Sequence, residues 1–268
     1  MTRFGVIIPS RYASSRLPGK PLLDICGKPM IQRVVENANR SGADFVWVAT
    51  DDERIQQVVN NFGGEAILTS PLHSTGTDRL AEVVAKKTVP DSTIIVNVQG
   101  DEPLLAPHFV QLVAQLLQQD EEAGLATLAA PISEVKDLFN PNIVKVVLGR
   151  SGQARLFSRA PIPWDRDAFA AGQPANLPVG VPFLRHIGLY AYRAFALTRL
   201  SQLPSPAIES AESLEQLRAI EAEIPIAVGV VDEAPAHGVD TPEDLDAVRA
   251  LARQALEAPS QLTQNHRV

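Results

Sequence analysis

The chain has 268 residues, 45% of them hydrophobic, enough to bury a substantial core and to exclude a disordered polymer. A formal net charge of -7 and a pI near 5.3 exclude a broad nucleic-acid-binding face, which needs a basic surface. A single cysteine, Cys26, leaves no intramolecular disulfide and no cysteine metal cluster, and no apolar run reaches membrane-spanning length, so the sequence predicts an untargeted cytoplasmic protein.

In chain order, residues 4–8 form an apolar run broken only by Gly5, the pattern of a strand buried on both faces of a parallel sheet, and Pro9 closes it. The loop that follows carries Arg11, Arg16 and Lys20 among Ser10, Ser14 and Ser15, and Pro18, Gly19 and Pro21 forbid regular structure there. A loop after the first strand of an open α/β sheet lies at its carboxyl edge, where such folds bind ligands, and three cations in that place ask for an anion such as a polyphosphate. Neither G-x-G-x-x-G nor G-x-x-x-x-G-K-[ST] is present.

Residues 29–40 carry Met30, Val34 and Val35 at helical spacing, 45–49 read as a second strand, 53–62 as a helix ended by Gly63-Gly64, and 66–68 as a third strand. His73 to Arg79, H-S-T-G-T-D-R, opens a helix with Thr77 expected as its cap and Asp78 near its positive end. Residues 94–98 are the most apolar strand and run into Gln99-Gly100-Asp101-Glu102-Pro103. A helix at 107–119 and a strand at 125–132 complete a βα alternation typical of parallel sheets.

From about residue 140 the pattern changes. Residues 143–148 and 154–157 read as a hairpin around Gly149 to Gly152, and 161–182 as a long excursion. A strand at 187–192, a helix face at 214–220, a strand at 226–231 and a closing helix at 242–256 follow. The fold class expected is α/β, a mostly parallel Rossmann-like sheet flanked by helices with a smaller antiparallel subregion. It is read as one domain over 1–258, with 140–235 as the subregion and 259–268 as a flexible tail.

Asp101 stands just past the most apolar strand, behind a polar Gln99 and a close-approach Gly100. Asp240 stands before the last helix, where Thr241 suits the cap, Pro242 the first turn and Asp244 the third position, so capping is supplied without Asp240. Two carboxylates and a triphosphate match the oxygen coordination of Mg²⁺. No two of the five histidines have zinc-site spacing.

The blocks V-I-I-P-S-R-Y-A-S-S-R-L-P-G-K-P-L, H-S-T-G-T-D-R-L-A-E-V, N-V-Q-G-D-E-P, F-S-R-A-P-I-P-W, R-H-I-G-L-Y-A-Y-R, L-E-Q-L-R and G-V-D-T-P-E-D-L occur in this order. Together they resemble the 3-deoxy-manno-octulosonate cytidylyltransferases, and the likeness spans residues 6 to about 256. The resemblance implies Mg²⁺-dependent transfer of CMP from CTP to the anomeric hydroxyl of 3-deoxy-manno-octulosonate (Kdo), for lipopolysaccharide biosynthesis. It implies nucleotide contacts from Ser10, Arg11, Lys20, Thr75, Arg79 and Gln99, and metal ligation by Asp101 and Asp240, with Lys20 acting beside them in catalysis. Sugar contacts are implied for Gln99, Arg159, His186, Tyr190, Glu215 and Gln216, Arg159 being suited to the sugar's carboxylate. A homodimer without nucleic-acid or membrane partners is implied as well, 161–182 being a candidate interface. Thr75 stands where Ser is usual. A sialate, an amino-Kdo or a sugar 1-phosphate as the activated sugar, and a non-catalytic sensor on the same fold, stay open as alternatives.

Overall fold

Strand β1 (Phe4–Ser10) divides its side chains between two cores: Phe4, Val6 and Ile8 enter one, Ile7 enters the other, and all four are buried. This period of two is what an apolar run becomes when helices cover both faces of a sheet. The computed structural model describes residues 3–13, 17–73, 75–236 and 238–257. The expectations for Ser14, Ser15, Arg16, Ser74 and His237 and for the tail 259–268 lie outside the described residues.

After β1 and a single 3-10 turn (Lys20–Leu22) come the short hairpin β2 (Asp24–Ile25) and β3 (Lys28–Pro29), then α1 (Met30–Asn39). Strand β4 (Phe45–Thr50), α2 (Glu53–Asn61), β5 (Glu65–Leu68), α3 (Gly76–Lys86), β6 (Ile94–Asn97) and α4 (Pro107–Gln119) continue the alternation. Then follow β7 (Leu125–Pro131), α5 (Val135–Leu138), the hairpin β8 (Lys145–Leu148) and β9 (Ala154–Ser158), and the long β10 (Leu184–Arg193). Helices α6 (Ala194–Gln202), α7 (Ala207–Glu212) and α8 (Gln216–Glu221) lead to β11 (Ile226–Val230) and α9 (Pro242–Glu257).

The main sheet has the order β11-β7-β10-β6-β1-β4-β5. Its members are parallel except β10, which runs antiparallel between β6 and β7 and carries the β8–β9 hairpin at its far end. A mostly parallel sheet flanked by helices, with an antiparallel subregion, is therefore the observed architecture. One core packs α1, α2 and α4 on one face, and a second packs α3, α6 and α8 on the other.

A third, smaller cluster matters more for the site. Val239, Leu245, Val248 and Ala252 of the last segment pack on Ile25 and Met30, and the Arg249 Nε donates to the Asp24 carbonyl at 2.9 Å. Cys26 lies here, its Sγ 3.6 Å from the Arg249 carbonyl, as a packing residue. Helix α9 is thereby fastened to the chain just after Lys20, although more than two hundred residues separate them in sequence.

The short helix α5 was not expected from the sequence, and neither were α6 and α7. Neither α6 nor α7 has a side-chain cap, and Pro204 and Pro206 fall between them, so the usual start signals are missing. The apolar residues of α6 fold it onto the second core, whereas α7 is held by its buried Glu209, which pairs with Arg218.

Candidate active site

Parallel pairing of β1 with β6 brings their carboxyl ends to one edge of the sheet. Lys20 meets Asp101 and Asp240 there. Its Nζ donates to Asp101 Oδ2 at 2.7 Å, to the Val239 carbonyl at 2.8 Å and to Asp240 Oδ1 at 3.3 Å. The Val239 N–H returns a bond of 2.8 Å to the Asp101 carbonyl, so the two acidic loops are also tied through the backbone. At the start of α9, Thr241 Oγ1 accepts from the Asp244 N–H at 3.2 Å, and Asp244 Oδ2 accepts from the N–H groups of Asp240 and Thr241. The capping box expected from the sequence is complete, and it fixes the backbone that presents Asp240.

Gly100 lets this loop approach the sheet. A Cβ there would lie 2.9 Å from the Pro9 carbonyl oxygen and 3.3 Å from Ser10 Oγ, and a backbone oxygen cannot swing aside as a flexible side chain can. Gly100→Ala is expected to push Asp101 away from Lys20, lowering turnover by about tenfold and costing roughly 1–3 kcal/mol. Paired steady-state kinetics and chemical denaturation check it.

Arg11 turns its Nη2 to the carbonyls of His73 at 2.7 Å and Thr75 at 3.2 Å, joining the cationic loop to the start of α3. Thr75, not Thr77, caps that helix, since its Oγ1 accepts from the Asp78 N–H at 3.1 Å. The T-x-x-D spacing of Thr75 and Asp78 was the signal for it. Ser10 is buried, with a hydroxyl that has no hydrogen-bond partner among the described residues, at the foot of the same edge.

Arg79 comes to the same carboxyl edge, at the ends of β4 and β5, but is enclosed there and does not open onto it. It is fully buried, with Nη2 on Asp51 Oδ2 at 2.7 Å and Nη1 on Thr69 Oγ1, and it stitches α3 to the ends of β4 and β5. An arginine so enclosed holds the frame behind the nucleotide loop rather than facing it.

The loop before α3 has an acid-sensitive fastening. Burial pushes the Glu82 carboxyl up, but bonds from Lys86, the Ser70 N–H and His73 outweigh it and hold the group down at about 2. A carboxyl whose folded pKa is depressed stabilises above its ordinary 4.5, and that contribution is lost as pH falls from there toward 2. Glu82→Gln is therefore expected to flatten the loss of stability between pH 5 and pH 3, read as urea midpoints.

A cavity of about 280 Å³ reaches Gln99, two residues before Asp101. Four of the six residues expected at the sugar line it: Gln99, Tyr190, Glu215 and Gln216. Thr77, Asn97, Tyr192 and Arg218 line it too, and sequence reasoning missed them. Asn97 ends the most apolar strand with a polar side chain, a signal that was present. Its Oδ1 accepts from Gln99 Nε2 at 3.4 Å.

Thr77 Oγ1 donates to Glu215 Oε2 at 2.7 Å, linking α3 to the far wall. Burial raises the Glu215 carboxyl and outweighs the Thr77 bond that lowers it. Arg218 is braced by Glu209, whose carboxylate accepts from Nε at 2.8 Å and from Nη2. Burial also holds the Tyr190 and Tyr192 hydroxyls in their neutral form.

His186 and Arg159 stand behind this wall rather than in it. The His186 ring packs on Phe157 at 4.9 Å and Tyr190 at 5.3 Å, its Nε2 is 3.0 Å from Thr127 Oγ1, and burial pushes its imidazole down to about 3. A neutral ring supplies shape and a hydrogen bond, not a charge for an anion. The Arg159 Nε donates to the Glu212 carbonyl at 2.6 Å and its Nη1 to the Pro141 carbonyl at 2.9 Å, next to the Ser213-Leu214 rim of the cavity.

The donor set suits a hard divalent cation. Asp101 and Asp240 already share one positive charge, the Lys20 ammonium. Among the described residues no third histidine, cysteine or carboxylate joins them, so a metal at this point would complete its shell from phosphate and water, as Mg²⁺ does.

A cytidylyltransferase family model matches residues 5–226. The 3-deoxy-manno-octulosonate cytidylyltransferase of Aliivibrio fischeri is 57% identical over 249 residues, covering 92% of this chain and 98% of its own. That of Marinobacter nauticus is 54% identical over 252 residues, covering 92% and 96%. A solved structure of CMP:2-keto-3-deoxy-manno-octonic acid synthetase complexed with CTP aligns with a TM-score of 0.85 at 46% identity, over 94% of this chain and 99% of that one. The chain belongs to the cytidylyltransferase family, among its 3-deoxy-manno-octulosonate cytidylyltransferases.

Proposed function

We propose that the chain transfers CMP from CTP to the anomeric hydroxyl of Kdo and releases pyrophosphate, supplying the activated sugar for lipopolysaccharide biosynthesis. The observation that carries the reading is the meeting of Lys20, Asp101 and Asp240 at the sheet's carboxyl edge, with a cavity that reaches Gln99 of the same loop. The relatives' names and the CTP complex of the aligned structure support the same substrates.

The sugar hydroxyl attacks the α-phosphorus in line with departing pyrophosphate, so the protein's task is to orient two anions and neutralise growing charge. Lys20 and Arg11 hold the phosphates, and Ser10 and Thr75 border them. Gln99 lies between nucleotide and sugar. Tyr190, Glu215 and Gln216 take the sugar's hydroxyls, with Arg159 at the rim and His186 shaping the wall behind Tyr190. Asp101 and Asp240 would hold Mg²⁺, which when bound neutralises the triphosphate and draws charge from the leaving group. In this assignment Arg79 acts through Asp51 and Thr69, setting the start of α3.

Residues 140–235 are the proposed sugar-binding subregion of one domain, which also takes Asn97, Gln99 and Thr77 from the nucleotide half. A homodimer belongs to the proposal. The exposed Trp164 and Val179 on the 161–182 excursion support an interface there, and light scattering tests it. No helix among the described residues is long and apolar enough to cross a membrane. Use of CTP supports a cytoplasmic reaction.

The experiment mixes protein, CTP, Mg²⁺ and Kdo and follows pyrophosphate, with EDTA as control and sialate, or GTP and UTP with a sugar phosphate, as competing pairs. Release that needs CTP, Kdo and metal together supports the reading. Faster release with another pair would replace it.

A further inference from the structure

Tyr12 lies one residue past Arg11, and Gly19 one residue before Lys20. Whatever ties 12 to 19 therefore sets the spacing of the two cations. The Gly19 N–H donates to the Tyr12 carbonyl at 3.0 Å. Gly19 has φ +68°, in the left-handed region, and a Cβ there would lie 3.1 Å from Tyr12 ring and hydroxyl atoms, so its bare backbone sits against the ring. Against the same ring stands Arg54, its guanidinium carbon 3.4 Å from the centroid.

Arg54 is itself held in place. The Asp52 carboxylate accepts from Arg54 Nε at 2.9 Å and Nη2 at 2.6 Å, and as the cap of α2 it also accepts from the Arg54 N–H at 2.9 Å. Asp52 follows two residues after the end of β4, the strand paired in register with β1. The contacts run in series from the sheet through Asp52 and Arg54 to Tyr12 and Gly19. They leave Arg11 and Lys20 immediately outside the tie, Arg11 on the His73 and Thr75 carbonyls and Lys20 on Asp101 and Asp240.

We propose that Arg54 and Tyr12 are positioning residues for the nucleotide: their stack holds the cationic loop closed and fixes the separation of Arg11 and Lys20 before CTP arrives. Neither touches the reacting atoms in this scheme. A guanidinium already committed to a carboxylate on two nitrogens and to an aromatic face is suited to rigid support rather than to phosphate capture. The effect falls on one substrate, because no contact in the series reaches the cavity walls. The inference rests on the reading of this loop as the holder of the CTP triphosphate.

Steady-state pyrophosphate release from the full chain, with CTP and Kdo varied in turn, tests it on Arg54→Ala, Tyr12→Ala, Tyr12→Phe and Lys20→Ala. Arg54→Ala is expected to raise the KM for CTP about two- to fivefold, the scale of an exposed cation–π contact, with the KM for Kdo and the thermal midpoint unchanged. Tyr12→Ala is expected to exceed that, and Tyr12→Phe, which keeps the ring, to restore most of the loss. Arg54 is exposed, so its variant folds even if Tyr12→Ala does not. A parental KM for CTP in Arg54→Ala, or an equal rise for both substrates, overturns the clamp. If that occurs while Lys20→Ala abolishes turnover, the clamp alone fails. Parental turnover in Lys20→Ala overturns the loop reading itself.

Discussion

Lys20→Ala is expected to lower turnover by about a hundredfold or more, while changing folding stability by only about 1 kcal/mol. The two effects separate because the ammonium does two things. In the structure it neutralises Asp101 and Asp240, but both carboxylates keep access to water, their side chains being 31% and 57% exposed, so unpairing them is modestly costly. In the proposed reaction it meets a triphosphate whose charge grows at the leaving group, and there a preorganised cation is worth far more. Pyrophosphate release and urea denaturation of the same variant measure both. Equal turnover in variant and parent would remove Lys20 from the chemistry.

Asp101→Ala and Asp240→Ala are each expected to cost about a hundredfold in turnover at low Mg²⁺, with part of the loss recovered as Mg²⁺ is raised. A carboxylate that only paired with Lys20 would show no such recovery. The pair also predicts strong coupling. Since all three groups share one cluster, the double variant Lys20→Ala/Asp101→Ala should lose much less than the product of the single losses. Independent, multiplying effects would mean that Lys20 and Asp101 serve separate steps.

What the sequence displayed well was local. Helix α4 has the bounds expected from its proline start and apolar spacing, the capping box at Thr241 formed as read, and Gly100 proved to be a close approach to β1. These signals depend on a few neighbouring residues. The position of β10 does not. Its residues announce a strand, but nothing in them says that it inserts antiparallel between β6 and β7, because strand order is decided by packing across the whole sheet.

The site divides the same way. Lys20, Asp101 and Asp240 were visible as a cation and two carboxylates at loop positions that an α/β sheet gathers at one edge, whereas Thr77 read only as a helix cap and Asn97 only as a polar end to an apolar strand until β10 and α8 closed the cavity over them. Arg79 shows the opposite case. It closes the His73 to Arg79 motif that points to ligand binding, yet its side chain leaves on the buried face of α3, where Asp51 takes its charge. Motif position and side-chain direction are separate facts.

The most direct test of the central claim is a crystal structure of the protein with CTP and Mg²⁺. The expected result is a metal within about 2.0–2.1 Å of one oxygen from each of Asp101 and Asp240, with the Lys20 ammonium moved from those carboxylates onto the phosphates. A metal bound to the triphosphate but touching neither carboxylate, or a triphosphate lying away from the Arg11 and Lys20 loop, would contradict it.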